Sequence, residues 1–478
     1  MKRFLNWLAL CVCLWGFPVM AGETEEALIA KVVEVYGGDA LINLQALEFT
    51  DRTQRLRFGQ SVNPDEVDIN LVQATTAIDF TNRRKSWRSA TWSGSERYTQ
   101  NQFFDGERGY GINHTARTYG ENPAFNFAGA DRRMSYTLDT VLARMLHENA
   151  AGATHAGEEL LDGVMHQKLT FRAEEHPPLT LYINPETGVI SKATRPHWME
   201  GKVFSYRFSR HQRIGDILYA SDTYALNRGR PSTITVSRNV SLTPDMSGLF
   251  EIPEGYSQEG QAIDFSEMNA EEIGDGVYIA GQNWGFSLFV DEGGYFTAAG
   301  GYAGFTGRFN AVKALTGMEK PVRYFVVSHH HQDHIGGVRE IAGLGATFIV
   351  HHDHLETLET TLGGKLDEKR RILVTGPDER VGRVQVIDIP SGHTTHNLGT
   401  HVVDDSLMFT ADTFFSRQVE GGVRGDRSLL DALERLGVAP ERFVAAHSPK
   451  QLTYKDLQDA VATEETDRCP EGWAICSR

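Results

Sequence analysis

Six residues constrain this chain more than any other stretch: His329-His330-His331-Gln332-Asp333-His334. Four imidazoles and a carboxylate packed this closely are costly to desolvate unless something binds them. The run follows Tyr324-Phe325-Val326-Val327-Ser328, which reads as a buried strand, and precedes Ile335-Gly336-Gly337, which reads as a helix start. His329 and His331 are two residues apart, so in extended chain they project to one side. Asp333 and His334 follow in the turn. Imidazole nitrogen and carboxylate oxygen are the donors that a borderline ion such as Zn²⁺ accepts, at about 2.0–2.2 Å. One such histidine is easily explained as a satisfied structural residue; the group as a unit points to bound metal.

With 478 residues the chain exceeds what one core usually covers, and two domains are expected. From Leu44 to Leu242 the apolar residues alternate with polar ones, as in Thr76-Ala77-Ile78-Asp79-Phe80 and Leu179-Thr180-Leu181-Tyr182-Ile183. That period of two predicts strands with one wet face. Turn signals such as Asp105-Gly106 and Asp162-Gly163 separate them. Helical spacing is confined to Thr24–Tyr36 and Tyr136–Asn149. After Pro253-Glu254-Gly255 short apolar strands alternate with helical stretches, the pattern of an α/β domain. Strands are expected at 277–280, 286–290, 322–327, 347–350, 384–387, 406–410 and 442–445, and helices at 309–315, 335–342, 428–436 and 455–464.

The run His329-x-His331-x-Asp333-His334, after a strand and before Gly336-Gly337, resembles the metallo-β-lactamase superfamily over residues 270–460. The resemblance implies an αββα sandwich and further ligands at downstream strand ends. Gly392-His393-Thr394, Asp412 after Leu407-Met408-Phe409-Thr410-Ala411, and Ala446-His447-Ser448 match in order. By this resemblance one metal takes His329, His331 and His393, the other takes Asp333, His334 and His447, and Asp412 reaches both. Two divalent ions, zinc by the preponderance of histidine, would sit ~3.5–4 Å apart and ionise a shared water near neutral pH. Asp333 would orient that nucleophile and relay its proton. His393 is preferred over His396, because it follows Ser391-Gly392 at a strand end. His330 should face away from the metals or support them indirectly. His351, His352 and His354 read as surface or helix-start residues, one of which could shape the pocket rim. The strand Tyr295–Gly301 lacks the acidic residue that supports the metal shell in this superfamily. Ala411 and Ser448 stand where glycine is common.

The string Leu179–Gly188 followed by a second strand resembles the hairpins of periplasmic lipoprotein carriers. That implies a curved half-barrel able to shelter a lipophilic ligand; a solvated sheet packed on its neighbour is the alternative. The overall expectation is an α+β protein. It comprises a signal peptide (1–21), a β-rich N-terminal domain (22–260), a metallo-β-lactamase-type αββα domain (265–467) and a tail (468–478).

The formal charge of −16 disfavours a nucleic-acid partner. Residues 1–21 have a basic start, an apolar run from Phe4 to Val19, and Val19-Met20-Ala21 before Gly22, the features of a secretory signal. A periplasmic or secreted protein without a membrane span after cleavage is expected. Cys11 and Cys13 fall within the signal, leaving Cys469 and Cys476 to form one disulfide that would tidy the C-terminus.

By the same resemblance, a carboxylate at Asp412 separates this chain from zinc β-lactamases, which lack one there. It aligns the chain with glyoxalase II, lactonases and esterase-like members. A complete second set of ligands argues against a one-iron sulfur dioxygenase. The expected activity is hydrolysis of an ester, thioester or lactone of a small or amphipathic molecule. A lipophilic-ligand binder with an accessory or vestigial hydrolase domain, a sensor or scaffold with a structural metal, and a β-lactamase are the alternatives.

Overall fold

The computed structural model describes residues 24–93, 96–197, 201–462 and 469–477. The expected signal segment, with Cys11 and Cys13, lies outside the described residues. Among those described, no helix is long and apolar enough to cross a membrane.

The alternating N-terminal segments build one 14-stranded sheet. In the middle of the sheet Ala46–Arg57 pairs antiparallel with Arg230–Ser241, and its edge strands are Ser257–Gln258 and Thr154–Leu161. Every pairing is antiparallel except that of Ser257–Gln258, which lies parallel beside Thr118–Glu121. One face is covered by the helices Glu25–Tyr36 and Asp139–Glu148. Leu28, Val32, Tyr36, Leu142 and Leu146 pack there against Leu169, Leu181, Ile183 and Ile190 of the sheet. The first helix starts at Thr24, whose hydroxyl accepts from the Ala27 amide, and stops at Gly37. Gly37 has φ +132°, and a Cβ there would meet Ile217 Cδ1 at 2.9 Å. A cavity of about 700 Å³ lies beside this helix, lined by Ile29, Val33, Ile42, Glu26, Glu34 and His147 among others. No residue of the histidine run lines it.

The C-terminal half contains two sheets packed face to face. The seven-stranded sheet runs Asn269–Gly274, Val277–Gln282, Gly285–Asp291, Phe296–Ala299, Val322–Val326, Thr347–His351, Arg371–Val374. The six-stranded sheet runs Asp378–Val381, Val384–Asp388, Leu398–Val402, Leu407–Phe409, Arg442–Ala445, Ser448–Thr453. Val277, Ile279, Leu288 and Val290 meet Val386, Leu398, Phe409 and Val444 between them. Phe305, Phe309, Val338 and Leu358 cover the outer face of the first sheet, and Leu429, Leu433, Leu457 and Val461 that of the second. The half is therefore an αββα sandwich.

All seven strands expected here form, and the differences have local causes. The helix expected from Ile335 begins at Val338. Ile335-Gly336-Gly337 is a tight turn, in which a Cβ on Gly337 would lie 2.2 Å from the Tyr302 carbonyl oxygen. The helix Leu355–Leu362 escapes sequence reading because it buries only Leu358 fully. Leu398–Val402 escapes because it is buried on both faces and so shows no alternation. Of the helix expected at 455–464, Tyr454–Ala462 is described.

Cys469 and Cys476 form a disulfide, but the tail does more than tidy its own end. Ile475 and Trp473 pack against Ala90, Trp92 and Leu71 of the N-terminal sheet. Gln73 donates to the Ser477 carbonyl at 2.6 Å. The described tail residues 469–477 are thus fastened to the opposite half.

Candidate metal centre

Each candidate ligand leaves the end of a strand. His329–His334 follow Val322–Val326, His393 follows Val384–Asp388, Asp412 follows Leu407–Phe409, and His447 follows Arg442–Ala445. Because these strands lie in two facing sheets, their ends converge at one edge. Donor atoms of His329, His331, His393 and Asp412 fall within 4.8 Å of one another, and so do those of Asp333, His334 and His447. These are the two sets that the resemblance implies.

Asp412 joins the sets. Its Oδ2 lies 3.1 Å from His393 Nε2 and 3.7 Å from His329 Nε2. Its Oδ1 lies 2.9 Å from His334 Nε2 and 3.2 Å from His447 Nε2. Oδ1 is buried, yet no hydrogen bond of good geometry reaches it. A buried carboxylate oxygen facing imidazole nitrogens without being satisfied by them is what cation ligation requires. The preceding Ala411 adopts φ +53°, the left-handed region where glycine is easier, so strain accompanies the turn that presents Asp412.

The protonation states agree. Burial pushes His329 well below its ordinary pKa, and it pushes His331 down to about 3. Both rings are therefore neutral and carry a free lone pair at pH 7. Burial alone would raise Asp412, but the His334 imidazole, with His393 and His447, holds it well below the carboxylate range. His447 moves the other way: burial would lower it, and contact with Asp412 raises it. The donor set fits a pair of divalent ions.

A supporting layer holds the rings of His329, His334 and His447. Ser328 Oγ lies 3.2 Å from His329 Nδ1 and 3.4 Å from His334 Nδ1. His447 donates Nδ1–H to the Trp284 carbonyl at 3.0 Å, which turns Nε2 toward Asp412. The Tyr302 hydroxyl lies 3.1 Å from His334 Nε2 and 3.2 Å from His447 Nδ1. Burial, with Asp412 and Asp333 nearby, raises Tyr302 well above its ordinary pKa, so it stays a neutral hydroxyl. It reaches His334 from just beyond the strand that lacks an acidic residue.

The most unexpected support comes from the N-terminal sheet. The loop after the strand Ala46–Arg57 reaches across, and Gln332 N donates to the Gly59 carbonyl at 3.1 Å. His331 donates Nε2–H to the Ser61 carbonyl at 3.0 Å, leaving Nδ1 to face the cluster. Gln60 Nε2 donates to Asp333 Oδ1 at 2.8 Å. Thr395 is bonded to the Val62 carbonyl through both its amide and its hydroxyl, each at 3.0 Å. Gln60, Ser61 and Ser328 were not singled out by sequence reasoning. A backbone carbonyl has no residue type to announce it, and the loop lies some 270 positions from His331.

Of the aromatic residues in the loops around the centre, Trp284 and Tyr302 face it, with ring centroids 6.1 and 5.8 Å from His447. Phe286 and Phe305 are core residues instead. His330 belongs to neither metal set and packs against His331 and His354, each at 4.9 Å. The surface reading of the second histidine group holds only for His352. His351 and His354 are buried, where the strand Thr347–His351 turns into a short 3₁₀ helix. His396 is turned away from the cluster toward Asp388 and Asp353.

Residues 302–448 match the family model described as the metallo-beta-lactamase superfamily. This segment belongs to that superfamily. A hydroxyacylglutathione hydrolase of Shewanella baltica (strain OS223) is 28% identical over 153 residues, 30% of this chain and 53% of that protein. One of Rhodopseudomonas palustris (strain BisA53) is 30% identical over 145 residues, 29% of this chain and 52% of that protein. The chain thus spans about half the length of the curated relatives it matches. Among solved structures, the metallo-β-lactamase of Hirschia baltica is 14% identical at a TM-score of 0.34, covering 41% of this chain and 97% of the other. That of Erythrobacter litoralis is 16% identical at a TM-score of 0.34, covering 42% and 98%.

Proposed function

We propose that this protein is a dinuclear metal-dependent hydrolase, acting outside the cytoplasm on an ester, thioester or lactone, with thioesters the leading class. The observation that carries the reading is the placement of Asp412, with one carboxylate oxygen toward His329 and His393 and the other toward His334 and His447. The hydroxyacylglutathione hydrolases among the relatives favour the thioester. The basic and apolar start of the chain favours export.

His329, His331, His393 and Asp412 would hold one ion, and Asp333, His334, His447 and Asp412 the other. When bound, such a pair supplies Lewis acidity and a water ionised near neutral pH. The remaining work falls to the protein. Asp333 is the exposed member of the set, and Gln60 fixes one of its oxygens. Its other oxygen lies 3.7 Å from His334 Nε2 and can orient the attacking water and receive its proton. The neutral Tyr302 hydroxyl stands beside His334 and His447 and can donate to an oxygen that gains charge. Trp284, more than half exposed, offers an apolar rim for the acyl or leaving group.

The sheet of the N-terminal half has one apolar face filled by its own helices, and it sends a loop into the metal centre. That supports a role in building the site more than one in carrying lipid.

The test is a substrate panel of p-nitrophenyl esters, thioesters, lactones, nitrocefin and bis-p-nitrophenyl phosphate, run with metal analysis. Metal-dependent hydrolysis of an ester, thioester or lactone is expected, and Asp333→Ala should abolish it while most of the metal stays. Nitrocefin as the best substrate, or full turnover by the Asp333→Ala protein, would overturn the reading.

A further inference from the structure

A second constellation of metal-binding side chains lies on the far side of His330. His351 ends the strand Thr347–His351, Asp388 ends the strand Val384–Asp388, and His396 comes three residues after His393. One donor atom from each of the three lies within 4.8 Å of the others. The His351 and His396 rings are stacked, centroids 3.4 Å apart and 16° from parallel. His396 Nδ1 is 2.8 Å from Asp388 Oδ2, and its Nε2 is 3.1 Å from Asp353 Oδ2. Asp353 also holds His352 Nε2 at 2.9 Å, at the solvent edge.

Two features are poorly explained by an ordinary ion-pair network. The first is charge: Asp388 and Asp353 flank His396, so neutralising both carboxylates within the protein would need both His396 and His352 protonated, whereas one divalent cation would neutralise them alone. The second is the buried oxygen Asp388 Oδ1, which has no hydrogen-bond partner. Face-to-face imidazoles in a buried position would repel if both were charged. Burial, followed by the neighbouring His396, indeed lowers the His351 pKa, so that ring keeps a lone pair at neutral pH.

We propose that His351, Asp388 and His396, with Asp353 at the solvent edge, bind a further divalent transition-metal ion, separate from the centre joined by Asp412. Two imidazoles and carboxylates suit zinc and its neighbours better than magnesium or calcium, which take oxygen donors. The site shares no residue with the Asp412 centre, but His354 and His330 connect the two through ring contacts of 5.9, 4.9 and 4.9 Å. Occupancy would fix the loop that carries both His393 and His396.

The test is metal counting on the full chain after equilibrium dialysis against micromolar zinc, with cobalt substitution to read the ligand field. The unsubstituted protein should hold three ions per chain. His351→Gln and, independently, Asp388→Asn should each hold two, with at least a hundredfold weaker binding of the third. Asp412→Asn should lose ions from the other centre and retain the one at His351. An ion count that neither His351→Gln nor Asp388→Asn lowers would overturn the proposal. Failure of the Asp412 centre would appear instead as an unchanged count in Asp412→Asn, so the two readings fail separately.

Discussion

If the loop from the N-terminal sheet supports the metal centre, then moving it by a single methyl group should weaken metal binding without altering any ligand. Gly59 is the place to do so. It has φ +65°, and a Cβ there would lie 2.3 Å from Gln332 Nε2 and 2.6 Å from its Cγ. Gln332 is anchored by the Arg228 guanidinium at 3.2 Å, so the loop must give way. Gly59→Ala should cost about 1 kcal/mol in backbone strain. The displacement separates the Ser61 carbonyl from His331 and Gln60 from Asp333. Loss of a contact that orients a metal-bound histidine typically weakens affinity about 10- to 100-fold, or about 1.4–2.7 kcal/mol. Competition with a chromophoric chelator measures this directly. Gly215→Ala is the control, since Gly215 has φ +56° with no atom within 4 Å, so only strain is added. Both variants should melt at similarly reduced temperatures, and only Gly59→Ala should bind zinc more weakly. A folded Gly59→Ala protein with zinc affinity within threefold of the unsubstituted chain would refute the role assigned to the loop.

Two further outcomes concern the N-terminal sheet. Arg238 is fully buried and donates to both Asp51 oxygens at 2.7 Å, so Arg238→Ala leaves an uncompensated carboxylate and should destabilise by about 3–5 kcal/mol in urea unfolding; a loss below about 1 kcal/mol would contradict this. Burial, then the charge of Lys85, pushes His176 down to about 3, whereas the unfolded value is about 6.5. The unfolded chain then takes the proton first on acidification, so this stability is complete above pH ~6.5 and declines toward pH ~3. Between pH 7 and 5 the unsubstituted protein should lose about 2 kcal/mol more than His176→Asn, and equal losses in urea titrations would rule the assignment out.

The candidate metal ligands were legible because the chemistry of each is carried by residue type and because strand ends present them in a fixed order. The αββα layers were legible for a related reason: short apolar strands and amphipathic helices alternate along the chain. Strand number was less so, since buried segments such as Leu398–Val402 lack the alternation that marks an exposed sheet face. What surrounds the ligands was mostly hidden. Tyr302 and Trp284 resemble Phe305 and Phe286 in composition and context, and only the direction of each backbone decides which face the centre. The Ser61 carbonyl has no signature at all. His351 and His396 show no connection in sequence until the fold stacks their rings 3.4 Å apart.

In the proposed hydrolase Asp412 spans two metal ions held by the two sets of histidines. A crystal structure of the zinc-loaded protein with anomalous data at the zinc edge tests it most directly. Two anomalous peaks are expected on either side of the Asp412 carboxylate, one among His329, His331 and His393 and the other among Asp333, His334 and His447. A single peak, or a pair that leaves Asp412 uncoordinated, would contradict it.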